Sequence, residues 1–312
     1  MPAAKPLGPV VAVAVLDTRA YYAACGLARR GAQVRCVGLL PPGREGPRLE
    51  RWPDLARAAA GAEVVVGPLA GVCGLRYHPA GRDAGGAGPA DLAPLFAGRS
   101  AAALVVLQAA PELRQAAGAA GWQLVELARD EAFLLQNAAI TAEGALQLAM
   151  GRLSVTLHRS RAVVVGLGRC GQALAARLAA LGAHVVAVAF NDVEQARAWC
   201  MGLSWGSPQK LPELVRGAQV VFNTAPAPVL SQEVLAAMPA RCLVIDIASG
   251  AGGTDFEACR RLGRRCLHAL GLPARTAPRT AGELVARRVW AWWRASARPG
   301  STRHLLGDGQ GA

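Results

Sequence analysis

Lysine is almost missing from this chain, at Lys5 and Lys210 alone, so the formal net charge of +13 is carried by arginine. The arginines stand singly or in short doublets such as Arg260–Arg261, Arg264–Arg265 and Arg287–Arg288, and no long basic arm forms. Aromatic residues are 5% of the chain and none stud such an arm, which argues against nucleic acid as a partner. A cleft that selects a small dianion remains compatible with the excess. No apolar run reaches membrane-spanning length, and the opening MPAAKPLGP has neither the cationic start nor the long apolar core of a signal peptide. The expectation is a soluble cytoplasmic protein. The eight cysteines, Cys25, Cys36, Cys73, Cys170, Cys200, Cys242, Cys259 and Cys266, include no CxxC pair and no cluster with histidine. They read as small buried hydrophobes in a reducing compartment, with no metal site.

What is abundant is apolar sequence, 53% of 312 residues, enough to fill two cores. Val10–Leu16 is a nearly pure apolar run, followed by a helical Ala20–Arg30 segment and a second strand at Gln33–Leu39. Further strands fit at Glu63–Val66, Ala103–Leu107 and Gln123–Leu127, so the first domain, residues 1–128, reads as a flavodoxin-like parallel sheet. Pro41–Pro47 and Pro79–Pro89 read as surface connections. A helical bridge is expected over 129–160. Strands at 162–165, 184–189, 219–222, 242–246 and 265–269 alternate with helix-length segments, the pattern of a doubly wound sheet over 161–281. Residues 282–297 predict a helix whose Val285, Val289, Trp290, Trp292 and Trp293 pack back on the first domain; that apolar character also leaves a dimer or heteromeric contact open. The tail 298–312 reads as disordered.

Residues 162–171, AVVVGLGRCG, are a buried strand running into a glycine-rich turn and a helix. Gly166 permits the tight turn, Gly168 lets bare backbone approach a pyrophosphate, and Gly171 lets the helix pack close to the strand. Unpaired N–H groups at the helix start then face the anion, with Cys170 inside the loop and Arg169 placed either at the phosphates or in solvent. An acidic residue about twenty positions on commonly accepts the adenosine ribose hydroxyl of NAD, whereas a nearby Arg favours NADP. Here Phe190 and Asn191 stand at that tip, and Asp192 is read as the N-cap of a helix Val193–Met201. Asn223 and Thr224 follow a strand at its ligand-binding end and are read as nicotinamide ribose contacts or as a turn before Pro226. Asp246 and Ser249 end the next strand, where a side chain holds the carboxamide or, alternatively, Asp246 caps the loop Ala248–Gly253.

Three stretches go beyond a generic dinucleotide fold: ARDEAFLLQNAAITAEGALQLAM (128–150), VVVGLGRCGQALAARLAALGAHV (163–185) and NTAPAPVL with VIDIASGAGGTDFEACRRLG and GLPARTAPRTAG (223–282). Together they resemble the A-type family of dipicolinate synthase subunits. The resemblance implies a dehydrogenase that oxidises dihydrodipicolinate to dipicolinate with NADP, alternatively NAD, together with a flavoprotein-like B-type partner of dipicolinate synthase, in the mother cell of a sporulating bacterium. It also implies the two-domain arrangement of the formate/glycerate dehydrogenases, an α/β fold with a flavodoxin-like and a Rossmann domain, and an active site between the two. The chain departs from the family at Val15-Leu16-Asp17-Thr18-Arg19, where a Gly-Gly-Asp-x-Arg motif is usual. It departs again at Ala189-Phe190-Asn191-Asp192, where an Arg is common, and at Leu270 and Ala274.

A planar dicarboxylate asks for bidentate arginine forks, and its oxidation asks for a base. Arg19 and Arg129 are the candidate clamps, Asp17 accompanies Arg19 at the end of the first strand, and Glu143 is the candidate general base. The dull alternative for Thr141 and Glu143 is a helix start, Thr141 as N-cap. His268 alone of the histidines is placed to reach the cleft, though a satisfied histidine is the better reading. A nucleotide-binding protein without turnover, serving as a regulatory or scaffold partner in the same complex, is the alternative of another class.

Overall fold

The computed structural model describes residues 8–39, 47–77, 90–97 and 102–296. The two Pro-rich connections and the predicted disordered tail fall mostly or wholly outside the described residues. The chain divides into two compact units, one formed by residues up to Gln136 and from Ala277 onward, the other by Asn137–Thr276. One division point falls inside a single continuous helix, Glu131–Met150, within the segment expected to be a helical bridge.

The first unit holds a six-stranded sheet made of β1 (Val10–Val15), β2 (Gln33–Gly38), β3 (Leu49–Arg51), β4 (Val64–Val66), β5 (Ala103–Val106) and β6 (Gln123–Glu126), ordered β3-β2-β1-β4-β5-β6. Every pairing in it is parallel. The five strands expected from apolar runs follow the flavodoxin order, and the three-residue β3 adds an edge that the sequence reading does not contain. Parallel strands are covered on both faces, which is why they are continuous apolar runs such as VVAVAV. Alternate residues still serve different layers: Ala12, Ala14, Leu104 and Val106 pack with Leu55, Leu92, Leu113 and Trp122.

In this unit the helix Pro278–Ser296 packs on the helix Thr18–Arg29, and two glycines set the spacing. A Cβ on Gly282 would lie 2.6 Å from Tyr22 Cβ and 2.7 Å from Ala23 N, and one on Gly26 would lie 2.7 Å from Ala286 Cβ. Glu283 receives Arg29 and Arg30 across the same contact, and these hydrogen bonds and charges hold its carboxyl below the usual range against its partial burial. Trp293 donates from its indole to Glu63 at 2.9 Å.

The end of β6 carries a buried carboxylate, Glu126, which accepts the Ala109 N–H at 2.8 Å and two Arg114 nitrogens at 3.0 and 2.8 Å. Burial acts to raise its pKa, but the hydrogen bonds from Arg114 and Ala109 and the charges of Arg114 and Arg129 outweigh it and hold the group below its ordinary value. Because the folded-state value is depressed, this contribution is complete above the unfolded carboxyl's pKa and drains away as pH falls through the folded one. Thermal unfolding followed from about pH 6 to about pH 3 should show a loss of stability that Glu126→Gln flattens, with the variant weaker than the parent by about 1.5–3 kcal/mol at neutral pH. An unchanged acid limb in the variant would remove Glu126 from this role.

The second unit repeats the strand order: β7 (Arg161–Val165), β8 (His184–Val188), β9 (Ser204–Gly206), β10 (Val220–Asn223), β11 (Leu243–Asp246) and β12 (Arg265–His268) lie as β9-β8-β7-β10-β11-β12, all parallel. This is the doubly wound Rossmann order. Its strands split two cores by alternation. Ala162, Val164, Phe222 and Ile245 meet Ala142, Ala145, Leu174 and Leu178 on one face. Val163, Val165, Val221 and Val244 meet Leu211, Val215, Val234 and Leu235 on the other.

The reading of all eight cysteines as buried hydrophobes needs correcting: Cys200 is exposed, and two others are bonded to each other. Cys259 and Cys266 are joined as a disulfide, their Cα atoms 6.5 Å apart. The helix Phe256–Arg261 turns back through Gly263 straight into β12, and that reversal brings together two residues whose spacing of seven carries no motif. Burial pushes the Cys36, Cys73 and Cys242 thiols up to about 12, so those behave as the expected inert hydrophobes.

Candidate nucleotide site

The strand β7 ends in the glycine turn. Gly166 sits at φ +88°, in the left-handed region that glycine adopts freely, and its N–H donates to Val188 O of β8 at 2.9 Å. A Cβ on Gly171 would overlap the Gly166 carbonyl oxygen, so the third glycine is where helix and strand touch. Gly168 has the opposite environment, with open space around the position a Cβ would take. It is also the N-cap of the helix Arg169–Ala180, and no side-chain hydrogen bond closes that helix start. Backbone donors and the positive end of a helix dipole are therefore left for an anion, and the bare Gly168 backbone leaves room for it. These residues fit a dinucleotide pyrophosphate. Arg169 is exposed at the first helical position, and Cys170 beside it is half-buried, with its thiol raised by burial and opposed by the Arg169 charge.

The next two strand ends brace this turn from within. The Thr224 hydroxyl lies 3.0 Å from Val165 O and 3.3 Å from Gly166 O. Asn223 is fully buried, its amide nitrogen on Ala225 O and Asp246 Oδ2, both at 3.0 Å, and its oxygen accepting the Ala225 N–H at 3.2 Å. Asp246, also fully buried, takes the N–H of Ala248 at 3.0 Å on Oδ1, and on Oδ2 the N–H of Gly253 at 2.9 Å and the Thr254 hydroxyl at 2.6 Å. The side chains of Asn223 and Asp246 are thus paired inside the protein, while Thr224 is half-buried. These bonds are those of the turn after Asn223 and of the Asp246 cap on the loop Ala248–Gly253, the alternatives to ribose and carboxamide contacts. Ser249 stays exposed on the loop that Asp246 ties down. Thr254 joins this network unannounced, since nothing in its sequence spacing signals a partner eight residues back.

At the end of β8, Phe190 is exposed and Asn191, not Asp192, is the N-cap: Asn191 Oδ1 accepts the Glu194 N–H at 3.0 Å, and the helix runs Asp192–Cys200. Glu194 Oε2 returns to the Phe190 N–H at 3.0 Å. The Asn-x-x-Glu spacing is a legible capping signal that favours Asn191 over Asp192. Arg197 of the same helix donates to Leu167 O of the glycine turn at 3.1 Å.

The residues expected to serve substrate chemistry occupy different settings. In the first unit Asp17 is the N-cap of the helix Thr18–Arg29, accepting the Ala20 N–H at 2.8 Å on one oxygen and Arg19 Nη2 at 2.9 Å on the other. Arg19 is buried, and its Nε finds no partner among the described residues. Arg129 is exposed, with its Nε 3.2 Å from Glu126. Asp130 caps the helix Glu131–Met150 through the Phe133 N–H and pairs with Arg288. In the second unit Glu143 is exposed and lies 3.4 Å from Arg177, eight residues beyond the glycine-turn helix start, about 12 Å along its axis. Thr141 lies mid-helix, its hydroxyl on Asn137 O at 2.9 Å, so the helix-start reading fails for it. His268 is exposed against the Phe256 ring, centroids 5.1 Å apart.

Among the described residues no group of three His, Cys, Asp or Glu is placed to hold a metal, and no helix is long and apolar enough to cross a membrane. Residues 125–258 match the NAD-binding domain of the D-isomer-specific 2-hydroxyacid dehydrogenases. The A-type dipicolinate synthase protein of Bacillus subtilis is 38% identical over 174 residues, 56% of this chain and 59% of that protein, so the aligned region spans less than two thirds of the relative. The solved structure of its counterpart from Bacillus halodurans superposes with a TM-score of 0.80 at 26% identity, covering 94% of this chain and all of that one. The Bacillus subtilis structure gives 0.78 at 27%, covering 93% and 97%. A transhydrogenase from Sinorhizobium meliloti, at 16% identity and a TM-score of 0.67 over 92% and 93% of the two chains, shares the fold. In sequence over more than half its length and in fold over nearly all of it, the chain resembles the A-type component of dipicolinate synthase, an α/β protein with a dehydrogenase NAD-binding domain.

Proposed function

We propose that this chain is the dehydrogenase component of a dipicolinate-forming enzyme, oxidising dihydrodipicolinate to dipicolinate with a nicotinamide cofactor and working with a second, flavoprotein-like subunit in the cytoplasm of a sporulating mother cell. The observation that carries the redox half is the Gly166–Gly171 turn, where an open Gly168 N-cap meets a close-packed Gly171. The substrate half rests on the likeness to the dipicolinate synthase proteins. The cofactor supplies the two-electron acceptor when bound. Gly166, Gly168 and the first turn Arg169-Cys170-Gly171 hold its pyrophosphate, and Asn223, Thr224 and Asp246 keep the neighbouring loops in register, with Ser249 on the loop surface. Because aromatisation of the ring drives the oxidation, the protein's work is mainly positioning.

Of the two arginines read as carboxylate clamps, Arg129 is the exposed one, anchored at Nε by a buried carboxylate that fixes its guanidinium. Arg19 and Asp17 form a helix cap, a supporting role. Purified chain given dihydrodipicolinate and NAD or NADP, with and without the second subunit, should show growth of reduced-nicotinamide absorbance. Cofactor binding without turnover, even with the second subunit, overturns the enzyme reading in favour of a scaffold. In the same assay Glu143→Gln should keep turnover within about a few-fold of the parent, as expected for one half of an exposed ion pair. A collapse of kcat with a shifted pH profile would restore it as the base.

A further inference from the structure

The adenosine of a nucleotide bound at a Rossmann glycine turn meets the end of the neighbouring strand, here Ala189–Asp192 after β8. Phe190 is a large apolar ring left 37% exposed there, directly after the buried Val188 and Ala189. The helix start beside it is capped from within: Asn191 Oδ1 holds the Glu194 N–H and Glu194 Oε2 holds the Phe190 N–H, both at 3.0 Å. Asp192 and Glu194 put two carboxylates into that first turn. Arg197, the basic residue of the same helix, is anchored on Leu167 O at 3.1 Å.

We propose that this corner selects NAD over NADP, with the Phe190 ring as the platform for adenine and the acidic turn Asn191–Glu194 excluding a 2′-phosphate. The proposal rests on the nicotinamide reading above and runs against the NADP that the family resemblance implies. Phe190 stands in the stretch where that family commonly has an Arg. A 2′-phosphate here would meet the two carboxylates of the helix's first turn, while the Arg197 guanidinium is turned to Leu167 O. A phosphate monoester carrying nearly two charges about 4 Å from a carboxylate loses about tenfold in affinity even when well solvated. A 2′-hydroxyl carries no such charge and is able to donate to a carboxylate.

Calorimetric titration of the full chain with NADH and with NADPH tests this directly. NADH is expected to bind at least about tenfold more tightly, with the gap narrowing as salt is raised. Equal or tighter binding of NADPH overturns the proposal while leaving the nicotinamide reading intact. Binding of neither overturns that reading and this inference with it. Phe190→Arg, checked for an unchanged unfolding temperature, should swing the NADH-to-NADPH ratio towards NADPH by about tenfold. The pair Asp192→Asn with Glu194→Gln, which keeps an oxygen to accept the Phe190 N–H, should also narrow the gap. A ratio that neither change moves overturns the assignment to these residues.

Discussion

Gly171→Ala should abolish nucleotide binding and destabilise the second unit, whereas Gly168→Ala should leave folding intact and lose binding alone. The two glycines lie three residues apart in one turn but face opposite surroundings. A methyl at 171 overlaps the Gly166 carbonyl oxygen, a backbone atom held by the β7 ladder and by the Gly166 N–H to Val188 O bond, so neither side is able to yield cheaply. Overpacking of that kind costs about 1–3 kcal/mol or more, and the helix displacement it forces also moves the anion-binding start of Arg169–Ala180. A methyl at 168 meets nothing within the protein. It stands where a pyrophosphate must approach the backbone, so NADH affinity is expected to fall at least about tenfold with the unfolding temperature unchanged. Differential scanning calorimetry and cofactor titration on both variants separate the effects. A stable Gly171→Ala that still binds would show that the close packing in the turn is not what holds the site together.

Asp246→Ala is the other large effect, and it acts without touching the cofactor. Its two oxygens collect the Ala248 and Gly253 N–H groups, the Asn223 amide and the Thr254 hydroxyl in a fully buried setting. Removing the carboxylate strands several buried donors at once, each worth about 1–3 kcal/mol when unsatisfied. Loss of about 3–5 kcal/mol is expected, enough to unfold many domains of this size. Asp246→Asn should fall between, because an amide keeps one acceptor oxygen and brings two N–H groups that face other donors. A drop of under about 1 kcal/mol for Asp246→Ala in urea unfolding would show that the loop finds other partners.

The strands are legible where parallel pairing demands unbroken apolar runs, as at Val10–Val15 and Arg161–Val165. Within the two six-stranded sheets, the strands that the apolar pattern does not reveal, Leu49–Arg51 and Ser204–Gly206, are three-residue edges lying beside the second strand of their sheet. An edge strand buries little and needs no apolar run, so Leu-Glu-Arg and Ser-Trp-Gly carry no periodic signal. The glycine turn is readable because backbone conformation dictates residue type there. Asn223, Thr224 and Asp246 stand at strand ends as expected, yet whether each faces a ligand or the interior depends on partners from three separate loops. The setting of Glu143 is hidden for the same reason, because its neighbour Arg177 comes from another helix.

The order of residues along the chain by itself determined two doubly wound sheets, the glycine turn and the open helix start above it, since all three follow from local conformation and apolar run length. Tertiary structure alone decided which polar groups are consumed inside: Asp246 by its four donors and Cys259 by Cys266. A side chain's chemistry is set by what the fold brings within about 3 Å of it, and those neighbours are distant in sequence or turned towards it only by the loops between.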